Sequence, residues 1–151
     1  MSSATATAAT AGTCQLVVFA LAGEEYALPI TQVQEIIRFT EPRSVASEQP
    51  WMRGVISLRG KIIPICDLAA RLGLTSTHDL SAKIVVVETD HGTAGVIVDE
   101  VEEVLTVDVS QLDTVPGGGS DIIDAIARIG DRLVAQLDPD QILAGVVLAA
   151  A

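Results

Sequence analysis

Several groups of residues have side chains suited to catalysis or ligand binding, but each lacks part of the pattern that such chemistry needs. Residues 116–120 are glycine-rich, but no Gly-Lys-Ser/Thr follows, so a phosphate-binding loop is not predicted. The acidic run at residues 99–103 lacks the mid-loop glycine of a calcium loop, and we interpret it as a solvated helix face. His78 and His91 have no adjacent nucleophile with an orienting carboxylate, and Ser57 has no nucleophile elbow. The sequence therefore predicts no enzyme, no metal site and no cofactor.

Two basic side chains stand out because of their position. Arg59 and Lys61 flank Gly60 between two runs rich in β-branched residues, which is typical of a tight β-hairpin because glycine accepts a positive φ. Apolar residues fall on both faces of each arm, so we expect a hairpin that is buried on both sides and presents a basic tip. A solvent-exposed turn with incidental charge is the alternative.

A second group of residues precedes this hairpin. Thr31 followed by Gln34 matches a capping box and predicts a short helix whose apolar stripe includes Val33 and Ile36. Glu35 would be the exposed member of this helix, able to pair with a cation from outside the chain. Core packing is the alternative role of the two aliphatic residues.

Most of the chain consists of one unit that occurs twice. A shift of 68 residues lays residues 15–39 over residues 83–107 without a gap. Short strands avoid exposed edges by curling into small barrels, and two small units are more stable when they share a core. We therefore predict a disordered tail at residues 1–13 and two β-barrel subdomains, at residues 14–80 and 81–151. The sequence leaves open whether strands cross between the barrels.

The second copy also contains a hairpin. We align Gly60 with Gly130, an alignment that gives neither Arg59 nor Lys61 a basic counterpart. The basic tip is therefore predicted in the first copy only. The second hairpin leads into a C-terminal helix that Asp138 is predicted to cap.

Charge is distributed unevenly along the chain. The chain has 151 residues, 49% of them hydrophobic, which is enough for a sizeable core. Its net charge of −11 disfavours nucleic acid as a partner. Six basic and six acidic residues occur up to Arg71, against three and fourteen after it. Such asymmetry suits a protein that meets different partners on different faces, and a solvated acidic surface is the alternative.

The cysteines and the chain ends bear on the cellular location. Cys14 and Cys66 are too few for a disulfide framework, and we expect both to be reduced, buried thiols. Residues 1–13 lack the regions of a signal peptide, and the apolar residues 142–151 fall short of the roughly 20 residues that span a bilayer. We expect an intracellular protein with no direct membrane insertion.

Two runs in the first copy carry a family resemblance. Tyr-Ala-Leu-Pro-Ile at residues 26–30, with Val-Gln-Glu-Ile at residues 33–36, resembles the first signature of the CheW family of bacterial chemotaxis coupling proteins. Gly-Val-Ile-Ser-Leu-Arg-Gly-Lys-Ile-Ile-Pro-Ile-Cys-Asp-Leu at residues 54–68 resembles its second and more specific signature. The similarity extends from Gln15 to about Leu143. The family's fold of two SH3-like five-stranded barrels agrees with the duplication.

The resemblance implies a non-enzymatic adaptor. Such proteins connect the cytoplasmic tips of methyl-accepting chemoreceptors to the regulatory domain of the histidine kinase CheA, within membrane-bound receptor arrays. Other copies of the adaptor are a further candidate partner. A coupling protein of a twitching or gliding chemosensory pathway is the first alternative, and a small ligand-binding β-barrel is the second.

The resemblance also implies which residues contact these partners. By motif position, Val33 and Glu35 would lie in a receptor-facing groove, and Arg59 would be the arginine needed for signalling coupling. Gly54 would hold a tight backbone position near a partner contact. With the second basic residue of the hairpin, the predicted protein-binding residues are Val33, Glu35, Gly54, Arg59 and Lys61. The family usually has Asn in place of Ser57, whose hydroxyl offers fewer hydrogen bonds for orienting Arg59.

Overall fold

The computed structural model of the protein describes residues 12–46, 49–75, 81–113 and 122–144. The strands of these ranges are β1 (Thr13–Leu21), β2 (Glu24–Pro29), β3 (Val33–Arg38), β4 (Met52–Leu58), β5 (Lys61–Asp67), β6 (Lys83–Thr89), β7 (Gly92–Val98), β8 (Glu100–Asp108), β9 (Leu112–Asp113), β10 (Ile123–Ile129) and β11 (Arg132–Leu137). The helices are α1 (Leu68–Arg71) and α2 (Pro139–Ile142), with 3₁₀ turns at Ile30–Gln32 and Val109–Gln111. Neither α-helix of the described ranges has the length and apolar character needed to cross a membrane.

The strands form two sheets. Sheet A has the order β8-β1-β2-β11-β10-β9, and sheet B has the order β3-β6-β7-β5-β4. The two-residue β9 pairs with Ile126 and Ala127, and a single bridge between Arg43 and Val55 takes the corresponding place in sheet B. Each sheet thus has five main strands and one short bridging segment. The predicted fold, mainly β with two SH3-like five-stranded units, is confirmed.

Each sheet contains strands from both sequence repeats. Sheet A joins the β1–β2 hairpin of the first repeat to β8, β10 and β11 of the second, and sheet B joins β6–β7 of the second repeat to β3, β4 and β5 of the first. The boundary near residue 80 therefore separates the repeats and not the sheets. Strand crossing, which the sequence left open, is how the two halves are joined.

Three apolar clusters hold this arrangement together. One lies inside each sheet, built around Leu16 and Val18 in sheet A and around Ile65 and Ile84 in sheet B. The third and largest lies between the sheets and contains fully buried Phe19. Its other buried members come from both sheets and both helices: Leu21, Leu28, Cys66, Leu68, Ala69, Val85, Val87, Ala94, Val96, Val98, Ile122, Leu137, Ile142 and Leu143. Folding therefore buries the shared core only when both repeats are in place.

The two predicted mid-unit helices are wrong. The chain from Val33 forms β3, which pairs with β6, and the acidic run continues into β8, which pairs with β1. Over six residues an apolar stripe fits a strand nearly as well as a helix, and β-branched residues favour the strand when a partner is available. Glu35 consequently lies on the same face as Ile37, at a period of two, whereas a register shift between Val33 and Glu35 places Val33 on the opposite face, toward the core between the sheets.

Two details of the strands differ from what their residues suggest. Proline is typical of edge strands, yet Pro29 lies in β2, between β1 and β11. Proline is tolerated because β2 pairs with β11 only at Tyr26 and Ala27, before Pro29 is reached. The first hairpin is not buried on both sides at its tip, where Ile62 is 60% exposed.

The structure describes only part of each chain end and of three loops. The capped helix predicted near the C-terminus is present as α2, where the Asp138 carboxylate accepts the Asp140 N–H at 3.0 Å. The interpretations given for residues 1–11, for His78 and for the glycine-rich run at residues 116–120 fall outside the described residues.

Candidate functional site

The tip of the first hairpin is a two-residue turn between β4 and β5. Arg59 has a φ of 51° and Gly60 a φ of 82°, the two positive values that a tight twisted hairpin requires. Leu58 and Lys61 form the last pair of the ladder before the turn. The turn therefore carries Arg59 and Lys61 to the end of sheet B, as the sequence predicts.

Arg59 pairs with Glu35 of β3. The guanidinium Nη1 donates to the Glu35 Oε2, and this contact raises the pKa of Arg59 above its ordinary value. The side chain of Arg59 is still 71% exposed, whereas that of Glu35 is 26% exposed. Glu35 was expected to meet a cation from outside the chain, but its partner here is Arg59. The guanidinium remains open to a partner because the pair forms at the surface.

A shallow pocket of about 140 Å³ surrounds this ion pair. Its lining residues come from four strands and the turn: Gln34, Glu35, Leu58, Arg59, Lys61, Ile63 and Thr93. Ile63 supplies a buried apolar floor, and the charged groups stand at the rim. The structure thus brings together three of the five predicted residues, Glu35, Arg59 and Lys61.

The other two predicted residues lie elsewhere. Val33 is half-buried at the start of β3 and packs against the core between the sheets. Gly54 is buried in β4 with a φ of 144°, and a Cβ at this position would lie 2.0 Å from the carbonyl oxygen of Arg43. The Arg43 and Val55 backbones exchange two hydrogen bonds there, of 2.8 and 2.9 Å. The tight backbone position expected at Gly54 is therefore created by Arg43.

A second, larger pocket of about 280 Å³ adjoins the first. It lies between β3 and β4, the two edge strands of sheet B, and both pockets share Leu58. Ser57 lies on the wall of this second pocket. Within the described chain the ion pair of Arg59 is with Glu35, and Ser57 takes no part in orienting it. The two pockets meet at Leu58, and we call them together the groove.

The second hairpin carries a cluster that the sequence alignment missed. Arg132 donates from Nε and Nη2 to both oxygens of Glu25, at 3.1 and 2.8 Å, and from Nη2 to Glu103 at 2.8 Å. These contacts raise the pKa of Arg132, and the hydrogen bond from Arg132 lowers the pKa of Glu25. A hydrogen bond with the Glu25 carboxylate raises the pKa of Glu102. The acidic run is thus partly neutralised in ion pairs, where full solvation was expected.

The register of the two hairpins explains why the alignment of the repeats gave Lys61 no basic counterpart. Arg132 pairs with Ile129 across the second turn just as Lys61 pairs with Leu58 across the first. Lys61 and Arg132 are therefore equivalent, and the prediction that only one copy has a basic tip is wrong. Superposing the helix caps Asp67 and Asp138, in place of the glycines, would have given this register from the sequence.

The described residues hold no cluster of three or more His, Cys, Asp or Glu side chains arranged to bind a metal ion. Burial raises the pKa of the Cys66 thiol, and partial burial raises that of Cys14. The candidate residues described above are charged and aliphatic side chains on an exposed turn and around the groove. Their arrangement suits the binding of another protein.

Comparison with known proteins identifies the family of the chain. The model of the CheW-like domain matches residues 15–147. The chain is 33% identical over 134 residues to the chemotaxis protein CheW of Bacillus subtilis (strain 168), covering 85% of this chain and 86% of that protein. The crystal structure of the scaffolding protein TtCheW from Thermoanaerobacter tengcongensis is similar, with a TM-score of 0.85 and 28% identity over 91% of this chain and all of that one. A shorter match, 32% identical over 84 residues, is to protein PilI of Pseudomonas aeruginosa, 47% of which is covered. The chain belongs to the CheW-like domain family.

Proposed function

We propose that this protein is a non-enzymatic adaptor of bacterial chemotaxis that couples methyl-accepting chemoreceptors to the histidine kinase CheA. The family match over residues 15–147 is the observation that carries the proposal. Two of the three relatives named above are a chemotaxis protein and a scaffolding protein, which agrees with an adaptor role. We further propose that the protein works in the cytoplasm, at membrane-bound receptor arrays.

The receptor contact is proposed at the hairpin tip and along the adjoining groove. A helical receptor tip would lay aliphatic side chains against sheet B, and Arg59, Lys61 and Glu35 would fix its register through charge. Exposure of 71% at Arg59 supports this, because the guanidinium reaches a partner without unfolding any element. Val33 and Gly54 would act from behind this surface, by shaping β3 and β4.

The kinase contact is proposed on a different face, so that both partners bind at once. The regulatory domain of CheA has the family's double-barrel fold, and barrel would join barrel through an apolar patch with a polar rim. Each contact alone need bind only modestly, since repetition within an array supplies avidity. Contacts between copies of this protein are a further candidate within such arrays.

Charge reversal at the hairpin tip tests the receptor contact. Arg59→Glu places a carboxylate beside Glu35 and should abolish capture of a receptor tip fragment in a pull-down, while capture of the CheA regulatory domain persists. Arg128→Glu is the matched control, because Arg128 is an exposed arginine paired with Asp113 beside the other hairpin tip. Circular dichroism and cooperative unfolding of each variant verify that the fold is kept. Unchanged receptor capture by a folded Arg59→Glu protein would reject the proposed contact.

A second candidate function is coupling in a twitching or gliding chemosensory pathway. It uses the same surfaces with different receptors, so a panel of receptor tips from both kinds of pathway separates the two. The third candidate, a ligand-binding barrel, predicts that some metabolite or metal raises the melting temperature in a thermal-shift panel, whereas an adaptor remains unaffected.

A further inference from the structure

The internal repeat makes two places in the molecule directly comparable. Glu35 pairs with Val86 of β6, and Glu103 pairs with Val18 of β1, each 68 residues from its counterpart. Thr93 opposite Glu88 is likewise equivalent to Glu25 opposite Ala20. With Lys61 equivalent to Arg132, three positions around each hairpin tip correspond.

The two places differ in how the cation is neutralised. In sheet A, Arg132 binds two carboxylates, those of Glu25 and Glu103. In sheet B the position of Glu25 is taken by Thr93, a neutral residue. The position of Glu103 is taken by Glu35, whose carboxylate already forms an ion pair with Arg59. Neither of the two positions equivalent to Glu25 and Glu103 therefore offers Lys61 an unpaired carboxylate.

Lys61 is therefore the uncompensated charge of the pocket. Arg59 and Glu35 neutralise each other, so the lysine supplies the net positive charge among the lining residues. It is exposed, and within the described chain no carboxylate lies within ion-pair distance of it. Thr93 and Ile63 lie beside it in the same pocket, so the space next to the ammonium is lined and not merely open surface.

We propose that Lys61 binds an acidic side chain of the receptor tip, whose carboxylate occupies the place that Glu25 fills in the other repeat. The proposal rests on the proposed function and adds the chemistry of the contact. Arg59, held by Glu35 at the rim, stays part of the receptor contact, and Lys61 supplies the positive charge that no carboxylate of the pocket compensates. Because the pair is exposed, it contributes mainly to specificity and to the association rate.

Supplying the missing carboxylate within the chain tests the proposal. Thr93→Glu would place a carboxylate beside Lys61, as Glu25 lies beside Arg132, and so compete with the receptor. Lys61→Gln removes the cation itself. Each change should raise the Kd for a receptor tip fragment about three- to fivefold at low salt, the equivalent of an exposed ion pair, and the difference should shrink in high salt.

Matched variants separate charge from shape. Thr93→Gln has nearly the size of Thr93→Glu without its charge, and Lys83→Gln makes the same change at the other lysine of the chain. Lys83→Gln should bind the receptor tip as the wild type does, and Thr93→Gln, which fills the pocket without adding charge, should weaken binding less than Thr93→Glu does. Thermal unfolding gives a readout independent of any partner: Thr93→Glu should melt higher than Thr93→Gln at low salt, and the difference should vanish in a Lys61→Gln background.

The outcomes are distinguishable. If the wild type binds the receptor tip and both Lys61→Gln and Thr93→Glu bind equally well, the acidic contact is refuted while the adaptor function stands. If Thr93→Gln weakens binding as much as Thr93→Glu, the effect is steric and the contact is likewise refuted. If the wild type binds neither the receptor tip nor the CheA regulatory domain, the proposed function fails and this inference with it.

Discussion

Replacement of Gly54 by alanine should be among the most damaging single-methyl changes in the chain. Its φ of 144° is one that an L-residue rarely adopts, at a cost of about 1–3 kcal/mol. The new Cβ would lie 2.0 Å from the Arg43 carbonyl oxygen, so that the Arg43 segment must move away from β4. This movement breaks the two hydrogen bonds between Arg43 and Val55, each contributing about 1 kcal/mol. The expected loss is about 3–5 kcal/mol of the free energy of unfolding.

Gly23→Ala is the matched control for this substitution. Gly23 also has a positive φ, of 82°, but a Cβ added there would have no heavy atom within 4 Å beyond its chain neighbours. Only the backbone term remains, and the loss should be about 1 kcal/mol. Urea unfolding followed by far-UV circular dichroism and by the single tryptophan, Trp51, measures both. Equal losses in the two variants would refute the argument that contact with Arg43 is what requires glycine at position 54.

Three further predictions concern other parts of the molecule. Because Arg132 lowers the pKa of Glu25, that carboxylate stabilises the folded protein above its ordinary pKa of 4.5, and the contribution is lost as pH falls through the lowered value. Glu25→Gln should therefore lower the melting temperature near neutral pH and have little effect well below pH 4.5, and a pH-independent loss would contradict this ion pair. In a thiol titration of the native protein, Cys14 should react slowly and Cys66 should react only after unfolding, because burial raises the pKa of both thiols and Cys66 is fully buried. Reaction of Cys66 in native Cys14→Ser protein would contradict the buried placement of Cys66. Arg71 donates to the Ile142 and Gln141 carbonyls at 3.0 and 3.2 Å and lies over the Trp51 ring. Arg71→Lys should therefore lower the free energy of unfolding by about 1–2 kcal/mol and change the Trp51 emission. An unchanged unfolding midpoint would show that this link between the repeats is dispensable.

The strands and the duplication could be predicted from the sequence, because these depend on local patterns. Alternating β-branched runs, the Arg59-Gly60 turn and the Asp67 cap are each decided within a few residues. The segments from Val33 and from Glu100 were misassigned because a stripe of two or three aliphatic residues fits either period. In both cases pairing with a strand distant in sequence decided the outcome.

The pairing of strands between repeats was not predictable for a different reason. β3 and β8 carry nearly the same pattern, so β1 could pair with either one on local grounds. The choice depends on the shared core around Phe19, which forms only from both repeats. The ion pair between Arg59 and Glu35 was missed because it joins the turn after β4 to β3, and these two strands lie at opposite ends of the strand order of sheet B.

Simultaneous binding of a receptor and the kinase by one molecule is the central feature of the proposed adaptor. Sedimentation velocity of the protein mixed with a receptor tip fragment and the CheA regulatory domain measures this directly. We predict a species that contains all three components and that loses only the receptor fragment with Arg59→Glu. Two binary complexes that exclude each other, or no complex with either partner, would contradict it.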